Sequence, residues 1–105
     1  MNTPLKIMIV EDEMITAESI LDMLEDYGYE VTGIHIRAEA ALQAIEKEKP
    51  DLALLDIHLK GEKTGIWLAE QIRSSHKIPY VFLTSYADKA TIEQATETHP
   101  FGYLL

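Results

Sequence analysis

Short apolar runs alternate with amphipathic segments along the whole chain. Three runs, residues 7–10, 52–55 and 81–83, have the length and composition of buried parallel strands. Between and around them, apolar residues recur at i, i+3, i+4 and i+7, which is the spacing of one helix face. The three sets are Ala17, Ile20, Leu21 and Leu24; Ala38, Ala41, Leu42 and Ile45; and Gly65, Leu68, Ala69 and Ile72. Helix-stopping residues follow the predicted helices at Gly28, Pro50, Pro79 and Pro100.

Three further elements are patterned less strongly. Residues 29–34 are predicted as a weaker strand that suits a sheet edge, because polar residues and a glycine interrupt it. A fourth helix is predicted to begin near Asp88, with an apolar stripe so thin that we expect it to be mobile. A short, ordinary surface helix fits the same stripe. Residues 101–105 complete the series as a fifth strand, and the alternation predicts a three-layer α/β fold with right-handed crossovers.

The composition narrows the class of protein. A chain of 105 residues with 47% hydrophobic content suits one globular domain. The net charge of −9 argues against non-specific binding to nucleic acid or to anionic lipid. The absence of cysteine excludes disulfides, thiol chemistry and a zinc–thiolate site. Without a signal-peptide pattern or an apolar stretch of about 20 residues, we expect a cytoplasmic protein and no membrane partner.

Oxygen-bearing side chains follow each of the three apolar runs. They are Glu11 and Asp12 after the first, Asp56 after the second and Thr84 after the third. Because the carboxyl ends of parallel strands line a common crevice, we expect these side chains to lie together. Crowded carboxylates repel one another unless a cation lies among them, and hard oxygen ligands favour Mg²⁺. Each residue alone is more often a turn, surface or strand-end residue than a functional one, but their combined order predicts a magnesium site that could hold a phosphoryl group.

The order of these residues closely resembles the receiver domain of two-component response regulators, over essentially the whole chain. The matching positions are Glu11, Asp12, Asp56, Thr84, Gly102 and Tyr103. The resemblance implies a flavodoxin-like, doubly wound parallel sheet, and it alone supplies the expected strand order, 2-1-3-4-5. It also implies a single receiver domain at residues 1–105 that acts as a phosphoacceptor in signalling and not as an enzyme on a separate substrate.

The resemblance assigns metal and acceptor roles. Asp56 would be the phosphoacceptor, receiving the group from a histidine kinase or a phosphotransfer domain. Asp12 would bind Mg²⁺ directly and Glu11 through water. Asp56 itself and the backbone carbonyl of His58 would complete the protein's share of the coordination.

It also assigns the switching residues and the partners. Thr84 would donate a hydrogen bond to the phosphoryl group, and Tyr103 would turn inward when Thr84 moves. The face formed by the fourth helix and the fifth strand would then bind a partner or form a dimer. An output or kinase module is expected in a longer parent chain, with no direct binding of nucleic acid by this domain.

The sequence departs from the family pattern at several places. Glu11 replaces the commoner aspartate, and the loop over residues 60–65 lacks a proline often found there. The lysine and the fifth helix expected immediately after Leu105 are not in the sequence, so we expect a C-terminally truncated domain that lacks its last helix.

Two other functions stay open at this point. A pseudo-receiver would bind partners without ever being phosphorylated; the intact acidic residues and Thr84 disfavour this. A magnesium-dependent phosphohydrolase of the haloacid-dehalogenase type would use an acidic residue two positions after its nucleophile. Here that position is His58, and the chain is too short for a substrate cap.

Overall fold

A computed structural model describes residues 3–83, 89–98, 100 and 102–104 of the chain. Within these residues strands and helices alternate without interruption. In chain order they are β1 (Lys6–Val10), α1 (Met14–Asp26), β2 (Glu30–His35), α2 (Ala38–Glu48), β3 (Leu52–Asp56), α3 (Gly65–Ser75), β4 (Tyr80–Leu83), α4 (Lys89–Glu97) and β5 (Gly102–Leu104).

The strands of the described residues form one parallel sheet in the order β2-β1-β3-β4-β5. This confirms the predicted doubly wound sheet and its strand order. β2 lies one residue further along the chain than predicted, and its pairing with β1 shifts register between Ile7 and Met8. Such irregularity is typical of an edge strand. In the predicted fifth strand, residues 101 and 105 lie outside the described part.

Helices cover both faces of the sheet, which gives the predicted three layers. Met8, Val10 and Phe82 are fully buried on one face, where α2, α3 and Ala95 of α4 pack against them. Ile9, with the other alternate residues of the strands, packs against α1 on the opposite face. Burying each large side chain contributes about 1.5–3 kcal/mol. Burial of alternate residues on the two faces of the sheet is therefore the main interaction that holds the strand ends in position.

The helices end where the sequence predicts. Gly28, with a φ of 89°, follows α1, and the left-handed Lys49, with a φ of 51°, ends α2 directly before Pro50. α3 begins at a side-chain cap, since the Thr64 hydroxyl oxygen accepts a hydrogen bond from the Trp67 amide at 3.2 Å. The predicted cap of α4, Asp88, lies outside the described residues.

The C-terminal end of α4 is tied to the strand β4. The buried Tyr80 hydroxyl donates a hydrogen bond to the Thr98 carbonyl at 2.5 Å, and the Thr98 hydroxyl donates to the Ala95 carbonyl at 2.7 Å. The mobility of α4 stays a prediction. Among the described residues, no helix combines the length and the hydropathy needed to cross a bilayer.

Candidate metal and phosphoryl site

Three carboxylates meet at the C-terminal edge of the sheet. Glu11 and Asp12 directly follow β1, and Asp56 is the last residue of β3, the strand next to β1. One oxygen from each carboxylate lies within 4.8 Å of the other two. The parallel pairing of β1 with β3 explains this, because it brings both strand ends to the same edge. The structure therefore brings together the three acidic residues that the sequence placed at one site.

Burial and like charge act together on Glu11. Its side chain is only 6% exposed, whereas Asp12 and Asp56 are half-buried. Burial, a hydrogen bond with the Asp56 side chain, and the charges of Asp56, Asp12 and Glu13 together raise the pKa of Glu11 from 4.5 to about 8. Near neutral pH and without a metal ion, the protonated form of Glu11 is therefore favoured, and it lowers the negative charge of the cluster.

The edge strand β2 fixes the backbone of Glu11. The Glu11 amide donates a hydrogen bond to the His35 carbonyl at 2.9 Å, one residue beyond the paired part of β1. The imidazole of His35 is held in turn, with its Nε2 atom 3.0 Å from a carboxylate oxygen of Glu48 at the end of α2. The position of Glu11 thus depends on the sheet and on α2.

The donor set fits a divalent cation. All three side chains offer hard carboxylate oxygens, and the partial exposure of Asp12 and Asp56 leaves room for water ligands. Mg²⁺ prefers a few carboxylates together with retained waters. The pKa of Glu11 is raised by burial and also by the neighbouring carboxylates, and a cation here would offset both effects by favouring the ionised form. The residues present therefore suit the ion that the sequence predicts.

The other predicted site residues are placed less fully. His58 follows β3 by two positions, with an exposed side chain. Tyr103 lies in β5, where its backbone pairs with Phe82 of β4, but its side chain is outside the described part. Thr84, which follows β4 in the sequence, also lies outside the described residues.

The sequence analysis missed a contact made by Gly65. It placed Gly65 on the apolar face of α3 and gave it no role at the site. In the structure the Gly65 amide donates a hydrogen bond to the Ile57 carbonyl at 2.8 Å, beside the backbone of Asp56. The available signal was a capping threonine followed by glycine, a poor helix former, in the first turn. A capping threonine followed by glycine indicates that another part of the chain comes close to the start of α3. Only the folded structure shows that this part is the backbone of Asp56 and Ile57.

A parallel sheet of this order, with three carboxylates at the C-terminal edge, is the arrangement of a CheY-like receiver domain. The sequence model of the response regulator receiver domain matches residues 7–105. The chain belongs to this family.

Known proteins of the family resemble the chain over nearly its whole length. The transcriptional regulatory protein PdtaR of Mycobacterium tuberculosis is 30% identical over 102 residues, which cover 97% of this chain and 49% of that protein. The receiver domain of a modulated diguanylate cyclase from Desulfovibrio desulfuricans has a TM-score of 0.92 at 34% identity, covering 97% of this chain and 81% of that one. The BeF3-activated receiver domain of RstA from Klebsiella pneumoniae has a TM-score of 0.87 at 34% identity, covering 95% and 84%. The chain spans half or less of the length of the curated relatives that it matches.

Proposed function

We propose that Asp56 accepts a phosphoryl group from a phosphohistidine of a histidine kinase or phosphotransfer domain, in a reaction that requires Mg²⁺. The observation that carries this proposal is the meeting of the Glu11, Asp12 and Asp56 carboxylates within 4.8 Å at the open edge of a receiver sheet. Glu11, Asp12, Asp56 and the His58 carbonyl would hold the ion.

The chemistry is a displacement at phosphorus. A carboxylate oxygen of Asp56 forms the new P–O bond while the P–N bond to the donor imidazole breaks, and the leaving imidazole takes a proton from solvent. When bound, Mg²⁺ neutralises charge on the nucleophile and on the transferred group. The ion would favour the deprotonated form of Glu11, because a carboxylate is a stronger oxygen donor than a carboxylic acid.

The switching part of the proposal concerns the strands β4 and β5. Thr84 would donate a hydrogen bond to the phosphoryl oxygens, and Tyr103 would follow its movement. The pairing of Tyr103 with Phe82 supports this, because Phe82 lies two residues before Thr84. Phosphorylation would then change what the face of α4 and β5 binds, including a second copy of the chain.

The proposal also covers the longer protein to which the domain would belong and its location in the cell. Since the chain spans half or less of its curated relatives, we propose that residues 1–105 are the receiver part of a longer protein with an output or kinase module. The domain would modify only itself, by phosphorylation and slow hydrolysis, and would act in the cytoplasm.

Intact mass spectrometry after incubation with acetyl phosphate and Mg²⁺ tests the acceptor. We expect one phosphate adduct on the wild type, none on Asp56→Asn, and none when EDTA removes the metal. Asp22→Asn, a change of an exposed aspartate on α1, is the matched control and should keep the adduct.

Other outcomes would favour the other functions. A folded wild type that takes up no phosphate would contradict the proposal and leave a pseudo-receiver that works by binding alone. Repeated hydrolysis of a small phosphoester, without lasting modification of Asp56, would indicate a phosphohydrolase instead.

A further inference from the structure

Gly65, the first residue of α3, lies directly against the backbone at the end of β3. A Cβ atom built on Gly65 would lie 1.9 Å from the Asp56 carbonyl oxygen, 2.9 Å from the Asp56 carbonyl carbon and 3.1 Å from the Ile57 Cα atom. Real Cβ atoms essentially never approach other atoms closer than 3.0 Å. The requirement for glycine is therefore one of space: any side chain would push α3 away from the strand end.

The backbone that Gly65 contacts connects two groups of the site. Asp56 carries the proposed nucleophile, and the carbonyl of His58, two residues later, is a proposed metal ligand. Ile57 lies between them, with a buried side chain and a carbonyl that accepts the Gly65 amide at 2.8 Å. α3 is itself fixed in the core, where Leu68 is fully buried. Gly65 thus joins a fixed helix to the segment that presents both groups.

We propose that Gly65 is a positioning residue of the phosphoacceptor site. Because it lacks a side chain, α3 can hold the Asp56–Ile57 backbone, and this contact sets the Asp56 carboxylate and the His58 carbonyl at a fixed distance from each other. The inference rests on the proposed function in that it takes Asp56 as the acceptor. Gly65 itself touches neither the phosphoryl donor nor the reacting atoms.

Gly65→Ala tests the contact directly. By helix propensity alone the change should be favourable, since alanine is the better helix former. Here the new Cβ has to move by about 1 Å, and the helix or the strand end has to move with it. A misplacement of about 1 Å at a reacting group costs up to about 100-fold in rate. We expect phosphorylation by acetyl phosphate at saturating Mg²⁺ to slow by about 10- to 100-fold, and Mg²⁺ to bind more weakly.

Ser75→Ala is the matched control, because it introduces alanine at an exposed position of the same helix, away from the end of β3. Both variants are compared with the wild type well below their unfolding temperatures, with the fold checked by circular dichroism. A purely structural Gly65 would lower the Tm but leave the Mg²⁺ dissociation constant and the phosphorylation rate of the folded protein unchanged. That result would overturn the inference. If the wild type takes up no phosphate, the proposed function fails, and the Mg²⁺ constants alone decide the role of Gly65.

A measurement on the wild type keeps the test decisive if Gly65→Ala does not fold. In a Mg²⁺ titration followed by ¹H–¹⁵N NMR, we expect the Gly65 amide signal to move together with those of residues 56–58, because its hydrogen bond ends on the Ile57 carbonyl. Gly28, which precedes β2 at the other edge of the sheet, is the internal control. Shifts at residues 56–58 without one at Gly65 would overturn the inference. The absence of any shift at residues 56–58 would contradict the proposed metal site itself and would remove the basis of the inference.

Discussion

At the residue scale, Glu11 shows most clearly how burial and crowded carboxylates disfavour negative charge at the site. It is the most buried of the three carboxyl groups, and its pKa is raised to about 8 by burial first and then by its acidic neighbours. In the unfolded chain the same group would ionise near 4.5. The folded protein therefore holds a proton, over this interval of pH, that the unfolded chain has lost.

This difference predicts how stability depends on pH without metal. The favourable contribution of protonated Glu11 is fully present below pH 4.5 and is lost as the pH rises through about 8, so the free energy of unfolding in EDTA should fall across that range. Glu11→Gln should flatten the fall and raise stability at pH 8. Denaturant unfolding at several pH values measures both. Glu18→Gln, an exposed change on α1, is the control, and an equal slope in the wild type and Glu11→Gln would contradict the explanation.

Some features of the site could be predicted from the sequence and others could not. Glu11, Asp12 and Asp56 could be placed together because each follows an apolar run, and parallel strands bring their ends to one edge. The contact between Gly65 and Asp56 could not be predicted, because it depends on the distance between a helix start and a strand end. The raised pKa of Glu11 could not be predicted either, because it depends first on how deeply the side chain is buried, and residue spacing does not determine this.

At the element scale, α4 combines weak patterning with a specific tie at one end. Its sequence predicts few apolar contacts, yet Ala95 is fully buried and Thr98 binds Tyr80 of β4. Tyr80 and Thr98 are 18 residues apart, so no local pattern could reveal this pair. If α4 moves on phosphorylation, the tie favours movement of its N-terminal end, the end that follows Thr84 in the chain.

Removing the Tyr80 hydroxyl should loosen this end of the helix. Tyr80→Phe keeps the ring but leaves the buried Thr98 carbonyl without its donor, at a cost of about 1–3 kcal/mol in the free energy of unfolding. Amide hydrogen exchange should accelerate at residues 95–98 more than in α3. Tyr27→Phe, at a site that is 76% exposed, is the control. Unchanged exchange at residues 95–98 would show that the hydroxyl does not hold α4.

At the scale of the whole molecule, the site opens beside an exposed apolar surface. Met14 and Ile15 begin α1, separated from the acidic pair by Glu13 alone, and are 47% and 78% exposed. Under the proposed function, a small donor such as acetyl phosphate would reach Asp56 without contacting this surface, whereas a protein donor would have to cover the crevice. Contact with these side chains would supply part of its binding energy.

A polar change at this surface should separate the two kinds of donor. We expect Ile15→Ser to lower the kcat/KM for transfer from a phosphorylated histidine kinase or phosphotransfer domain about tenfold, a loss of about 1.4 kcal/mol. The rate with acetyl phosphate should stay unchanged. Met23→Ser, at a position that is 50% exposed near the other end of α1, is the control. An equal loss of rate with both donors would show that Ile15 affects the reaction at the site and not the binding of the protein donor.

The strand order also determines which parts of the sheet can open locally. Among the described residues, β1, which precedes Glu11 and Asp12, and β3, which ends at Asp56, each have two neighbours, whereas β5 is paired only with β4, along three residues. Releasing β5 would break a single short ladder and leave both carboxylate-bearing strands fully paired. If the domain is phosphorylated as proposed, β5 could therefore separate from β4 and pair with it again while the Glu11, Asp12 and Asp56 carboxylates stay in place.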